Sequence, residues 1–306
     1  VNDQPDAPEP YTLVVTAWNG GFFSHVNRVV NHLCHSLGRD GCRAVRVDWR
    51  VSEHTPLFAY YGTPEDGELW QRFFEPLRFP DAPSAERSSY QYADLSMTGL
   101  YAYRMYKRGS RWRSDYGHAY AEHVRVRDEL RRRVDRLWSD GTVAGKAVGV
   151  HYRHSEHDHE NPRASASIDA YISRARRVLA QTGANSIVLA TDVHEALDSF
   201  RAEFGERLLV QPDAARAPAA GSQYERSAPP GIALGEQILI DALLLARCDV
   251  LLHATSNIAT AVGYMNPAMR MVYVEPRLRG AVETLRARVT PQRHATPEGV
   301  WRSLGS

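Results

Sequence analysis

From Lys146 to Val274 the chain alternates two kinds of segment, and this alternation most constrains its fold. Lys146–Tyr152 (KAVGVHY), Ser186–Ala190 (SIVLA), Leu208–Val210, Val250–His253 and Met271–Val274 are short, β-rich apolar runs. Ser167–Leu179, Glu195–Phe204, Gly235–Ala246 and Ile258–Tyr264 lie between them and read as helices. Unmixed β/α alternation predicts a doubly wound, Rossmann-like domain on a parallel sheet. The first residues show the same grammar. Tyr11–Ala17 reads as a buried strand, Trp18-Asn19-Gly20-Gly21 as a turn, Ser24–Leu37 as a helix and Arg43–Trp49 as a second strand. The expected architecture is therefore α/β, with two Rossmann-like domains facing across a cleft. The boundary is placed near residue 143: an N-terminal α/β domain over 1–143 and a nucleotide-binding domain over 144–306.

Three polar segments follow directly on apolar strands: His151-Tyr152-Arg153-His154, Ala190-Thr191-Asp192 and His253-Ala254-Thr255-Ser256-Asn257. In open α/β sheets ligands bind at that strand edge, so the three converge on one site. Their chemistry suits a nucleoside diphosphate. Arg153 carries a planar fork that matches phosphate oxygens. Thr255 and Ser256 stand at a helix start, where backbone N–H groups and the dipole favour an anion. A plain N-cap explains Ser256 equally well. Asp241 interrupts the apolar run ILIDALLLA, and a carboxylate there needs partners. It either caps a strand end internally or accepts hydrogen bonds from a guanine edge. Gly20 and Gly21 permit close approach of a ligand, or simply make a tight turn.

The stretch from Val51 to Gly117 is less regular. Glu65–Leu77 is expected to be helical, Phe79–Ser89 a loop, and Tyr120–Trp138 one long charged helix. Phe58, Tyr60, Tyr61, Trp70, Phe73, Phe74, Tyr90, Tyr92, Tyr101, Tyr103 and Tyr106 crowd this stretch. They read either as a carbohydrate platform or as core. Arg131-Arg132-Arg133 reads as a solvated helix face. Gln211–Pro230 is a long loop, of a length that goes with function or motion. His154, Glu156, His157, Asp158, His159 and Glu160 crowd another loop. A solvated loop, a base for group transfer and a divalent-metal site are all open there, although the spacing matches no established ligand motif.

Composition narrows the classes further. A balance of 37 basic against 36 acidic residues argues against nucleic-acid binding. The three cysteines cannot make a disulfide framework, which fits a reducing compartment. The most apolar stretch, Ile238–Leu252, contains Asp241, Arg247 and Asp249 and is too short to span a bilayer. Only Lys107 and Lys146 are lysines, a bias that points to a high-GC bacterial genome. A cytoplasmic bacterial protein is the expectation.

Gly149–His154 (GVHYRH), Leu189–Asp192 (LATD) and Leu239–Asn257 (LIDALLLARCDVLLHATSN) resemble, in order and spacing, three motifs of the GT-B fucosyltransferases. The resemblance covers residues 147 to about 275. It implies two Rossmann-like domains, GDP-fucose or a related GDP-sugar as co-substrate, inversion at the sugar and no metal or other cofactor. It further implies that Arg153 holds the β-phosphate, His151 contacts the nucleotide, Asp241 reads guanine and Ser256 binds phosphate. Asp192 matches the first aspartate after the second strand, whereas Val193 replaces the family's second one. The family's lysine after the arginine motif is absent. Glu160 is the best match to its base, which takes the proton of an acceptor hydroxyl. Arg153 and Glu160 are thus the catalytic candidates. His151, Arg153, Asp192, Asp241, Thr255, Ser256, Asn257, Gly20 and Gly21 are the donor-binding ones. The implied partners are a GDP-sugar and a hydroxyl-bearing small molecule or oligosaccharide on the side of 1–143. A metal-dependent hydrolase on the His-rich loop and a non-catalytic nucleotide-binding protein are the alternatives.

Overall fold

The computed structural model describes residues 8–18, 20–52, 61–88, 111–141, 143, 145–153, 166–216, 231–254 and 256–274. It contains two sheets, both wholly parallel. The first is built from β1 (Tyr11–Thr16), β2 (Cys42–Asp48) and β3 (Glu86–Ser88), in the order β2-β1-β3. Helix α1 (Phe22–His35) connects β1 to β2, and the register sets Leu13 beside Val45 and Val15 beside Val47. The second sheet contains β4 (Ala147–Tyr152), β5 (Ser186–Thr191), β6 (Leu208–Leu209), β7 (Val250–His253) and β8 (Arg270–Tyr273). Its order is β6-β5-β4-β7-β8. The connecting helices are α5 (Ile168–Thr182), α6 (His194–Phe204), α7 (Ile232–Ala246) and α8 (Asn257–Met265).

Strands β4, β5 and β7 are buried along their whole length, which explains why their sequences are continuous apolar runs rather than alternating ones. Their two faces serve two cores. Val148, Val150, Ile187, Leu189, Val250 and Leu252 pack with Tyr171, Val178 and Phe200 of α5 and α6. Ala147, Val188, Ala190 and Leu251 face the other way, into a core shared with α7, α8 and the first sheet. On that face Gly149 meets α7. A Cβ at this position would lie 3.0 Å from Leu245 and 3.2 Å from Cys248, so the strand and helix approach closely because no side chain intervenes.

The first sheet and the second share this core through α1. Asn27 is buried in it. Its amide donates to the Asn257 carbonyl (3.1 Å) and side-chain oxygen (3.3 Å), and its oxygen accepts from the Tyr264 hydroxyl at 2.9 Å. One turn further along, Asn31 accepts from Tyr116 at 2.6 Å. A polar ladder on α1 thus meets α8 and α3 (Arg111–His123). Ion pairs from Arg133 to Glu236 and from Arg247 to Asp135 join α4 (Asp128–Asp140) to α7.

Three sequence expectations are corrected here. The single helix over Tyr120–Trp138 is two helices, α3 and α4. Between them Glu75 N–H donates to Arg125 O (2.7 Å) and Arg127 N–H to Phe73 O (3.0 Å), and this antiparallel bridge draws the chain out of the helix. The helix over Glu65–Leu77 shrinks to a one-turn element at Pro64–Asp66 and to α2 (Trp70–Phe73). The loop over Phe79–Ser89 contains β3, which adds to β1 by pairing Thr12 with Glu86. Among the clustered aromatics, Tyr61, Trp70, Phe73 and Phe74 are core, not a sugar platform. They are fully buried, with Trp70 stacked on Phe74 at 4.3 Å and Phe22 edge-on to Phe73 at 4.9 Å. Phe58, Tyr60 and the tyrosines at 90–106 lie outside the described residues. Cys34, Cys42 and Cys248 are free thiols. Among the described residues, no helix is long and apolar enough to cross a membrane.

Candidate nucleotide-binding site

The strand order reverses between β4 and β7. After β4 the chain builds outward to β5 and β6, then returns across the sheet through α7 to start β7 on the other side. In an open α/β sheet such a reversal is the switch point outside whose carboxyl ends ligands bind. His151 and His253 are register partners at this point. Two of the three polar segments thus begin at paired strand ends, and the third follows β5, the other neighbour of β4.

His151 is buried, and its Nδ1 shares a hydrogen bond of 3.1 Å with the Ser256 hydroxyl. Ser256 also accepts from the Ala259 N–H at 3.0 Å, which makes it the N-cap of α8. The hydroxyl expected to hold phosphate is therefore committed to the cap and to His151. An anion at this helix start would meet the backbone N–H groups instead. Burial, the Arg153 cation and His253 together lower the His151 pKa to about 3, so the ring is neutral. Burial lowers His253 to about 4. Among the described residues of this strand end, Arg153, half-buried one residue past β4, then supplies the positive charge near neutral pH. Asn257 opens α8, and Asn27 of α1 holds both its carbonyl and its side chain.

Asp241 and Asp192 form the flank toward β5 and β6. The Asp241 carboxyl is enclosed although the residue keeps some surface. One of its oxygens accepts from the Gln211 side-chain amide at 2.7 Å. Desolvation raises its pKa to about 7. Gln211 and Arg216 oppose that rise, and Asp192 adds to it. One oxygen of Asp192 is shielded from solvent and has no hydrogen-bond partner among the described residues. Neither Gln211 nor Arg216 stood out in the sequence. The strand-end rule that picked out the other segments would have found Gln211, which follows the apolar run Leu208–Val210.

Gly20 and Gly21 lie at the end of β1, ahead of α1. Gly20 is buried, and a Cβ there would come within 2.7 Å of Ser24 and 2.8 Å of the Trp18 ring. His25, neutral because burial lowers its pKa to about 4, clamps the turn from inside: its Nδ1 donates to the Gly21 carbonyl at 3.0 Å and its Nε2 accepts from the Trp18 N–H at 3.1 Å. Internal packing therefore accounts for a glycine at 20. Thr255, Glu160 and the rest of the His-rich loop lie outside the described residues. Among the described residues no group of three or more His, Cys, Asp or Glu is arranged to hold a metal.

Two wholly parallel sheets, the larger one reversing its strand order between β4 and β7, define an α/β class with a doubly wound sheet. Solved structures of the fucosyltransferase NodZ share this fold. NodZ α-1,6-fucosyltransferase soaked with GDP-fucose superposes with a TM-score of 0.53 at 17% identity, over 85% of this chain and 93% of that one. Selenomethionine-substituted fucosyltransferase NodZ from Bradyrhizobium gives 0.51 at 17% identity, over 85% and 93%. POFUT1 in complex with GDP gives 0.49 at 12% identity, over 88% and 99%. The model of the nodulation protein Z (NodZ) family matches residues 110–266, just over half of the chain. The protein belongs to that family. The match starts at the head of α3, well upstream of the β4 motif on which the sequence resemblance began. No curated protein sequence matches the chain.

Proposed function

We propose that this protein is an inverting glycosyltransferase of GT-B type that transfers fucose, or a closely related sugar, from its GDP-sugar to an acceptor hydroxyl. Residues 144–306 bind the donor and 1–143 the acceptor side, with the two Rossmann-like units meeting across a cleft. The acceptor is a small molecule or an oligosaccharide. The single observation that carries the reading is the shared carboxyl edge of β4 and β7, where Arg153, a neutral buried His151–Ser256 pair and a helix start come together.

The chemistry follows from those parts. The acceptor oxygen attacks the anomeric carbon as the bond to the diphosphate breaks, and GDP leaves with the electron pair. Arg153 and the backbone N–H groups at the start of α8 neutralise the charge that accumulates on the diphosphate. Neutral His151 holds the Ser256 cap in place and contacts the nucleotide. Asp241 accepts from the N1–H and N2–H donors of guanine, a pair that uracil and adenine lack. Asp192 lies beside it. A carboxylate, Glu160 by resemblance, takes the acceptor proton. Asp192 is followed by Val193, so this strand end has no paired aspartates for a divalent ion, and Arg153 supplies the positive potential instead. The reaction needs no metal.

A thermal-shift comparison tests the donor side. GDP raises the apparent stability more than UDP or ADP at equal concentration, because a ligand bound by the native state stabilises it by mass action. Equal shifts for GDP and UDP refute the guanine assignment. Transfer in excess EDTA tests the rest. Activity abolished by chelation and restored by zinc or manganese replaces this mechanism with a metal-dependent one.

A further inference from the structure

Asp241 is held by a loop that looks ordinary in the sequence. Gln211 is almost completely buried, and its amide nitrogen makes two hydrogen bonds: 2.7 Å to Asp241 and 2.9 Å to the Gln237 carbonyl one turn earlier on α7. The loop after it is tied down in turn. Ala215 N–H donates to the Gln237 side chain at 3.0 Å, and the Gln237 amide donates to the Asp213 carbonyl at 2.9 Å. Arg216 donates to the carbonyls of Gln211 and Ala214 at 2.9 and 3.1 Å. A buried amide with both donors spent on α7 has one orientation available.

We propose that Gln211 is a positioning residue for base recognition: its amide holds the Asp241 carboxylate in the one orientation that receives the paired donors of guanine. This rests on the reading that Asp241 faces the base. An unheld aspartate rotates about its side-chain bonds and swings its oxygens out of the plane of the base. The bond from Gln211 occupies one lone pair of one oxygen and fixes the carboxylate plane. The second lone pair of that oxygen and the whole of the other oxygen stay available to the ligand. Among the described residues, the charged groups around the carboxylate are Asp192 after β5 and Arg216 in the loop after β6. Gln211 therefore also favours the ionised form, the one that can accept from both guanine donors.

The test measures binding of GDP, inosine diphosphate and xanthosine diphosphate to the full chain by calorimetry. Inosine lacks the N2 amino group, and xanthine carries a carbonyl there. The wild type is expected to prefer GDP to inosine diphosphate by about tenfold or more, the worth of one hydrogen bond to a charged acceptor. Gln211→Leu reduces that preference to about twofold, with the N2–H contact largely lost. It also moves the midpoint of the pH dependence of GDP binding upward, because Asp241 loses a donor that favours its charged form. Gln211→Glu keeps the shape but turns the donor into an acceptor, and it moves both readouts the same way. In an Asp241→Asn background Gln211→Leu has no further effect on the preference, as coupled residues require.

Equal weakening of GDP and inosine diphosphate by Gln211→Leu, with the pH midpoint unmoved, overturns the proposal and leaves Gln211 as a loop anchor. Asp241→Asn separates the two readings. It is expected to shift preference from GDP toward xanthosine diphosphate, whose carbonyl accepts from the new amide. If that shift fails, the guanine reading itself fails. If it occurs while Gln211→Leu leaves discrimination intact, only the positioning role fails.

Discussion

Asp241→Asn is expected to stabilise the empty protein above neutral pH even as it impairs guanine recognition. The reason is the enclosure of the carboxyl between α7 and the loop after β6. Folding raises its pKa from 3.8 to about 7. A group whose pKa rises on folding favours the native state below its unfolded value, and that contribution is lost as pH rises through the folded value. Here the loss runs from about pH 4 to about pH 7. A shift of this size corresponds to about 4 kcal/mol for a fully enclosed group, and the surface that Asp241 retains reduces the figure. Asparagine has nearly the same shape, still accepts from Gln211, and does not titrate. The gain of the variant over the wild type should therefore be larger at pH 8 than at pH 5, by about 1–3 kcal/mol. Urea denaturation of both proteins at the two pH values measures it, because all other titrations cancel in the comparison. The slope against urea should not change, since the same surface is exposed on unfolding. An equal gain at both pH values, or a loss at pH 8, would refute the reasoning. A confirmed gain would mark Asp241 as a residue kept at the expense of stability, which is the usual signature of function.

Three further substitutions probe the rest of the framework. Arg153→Lys should keep the fold by circular dichroism but lower transfer kcat/KM by about tenfold or more, because lysine cannot make the bidentate phosphate contact; near-wild-type turnover would make Arg153 structural. Ser256→Ala removes the cap of α8 and the partner of His151, and should cost about 1–2 kcal/mol in urea denaturation. Asn27→Leu leaves the buried Tyr264 hydroxyl without its acceptor and should cost about 2–3 kcal/mol, a loss that a surface substitution such as Arg132→Ala should not reproduce.

Much of the second sheet was legible because each of its central strands is buried on both faces. Such a strand must be apolar throughout, so Ala147–Tyr152, Ser186–Thr191 and Val250–His253 stand out from the helices between them without any knowledge of their neighbours. The polar residues at their carboxyl ends were legible for the same reason: apolar character stops where the sheet stops. β3 was not, because a three-residue edge strand carrying exposed Glu86 and Arg87 has no apolar period to detect. Nor was the break between α3 and α4, since its cause is pairing with Phe73–Glu75, some fifty residues earlier in the chain.

The sequence by itself determined the β/α alternation of the second sheet and the kinds of side chain at its strand ends, which follow from local periodicity. Only the tertiary structure decided which ends meet. That β4 lies at the centre, with the order reversing between β4 and β7, is a property of the sheet and of no single segment. The partners that define the site are equally remote: Ser256 for His151, Gln211 for Asp241 and Asn257 for Asn27, separated by 105, 30 and 230 residues. A buried polar group must find a partner, and burial states that requirement in the sequence. Which partner satisfies it depends on how distant segments pack, and that is settled only when the chain has folded.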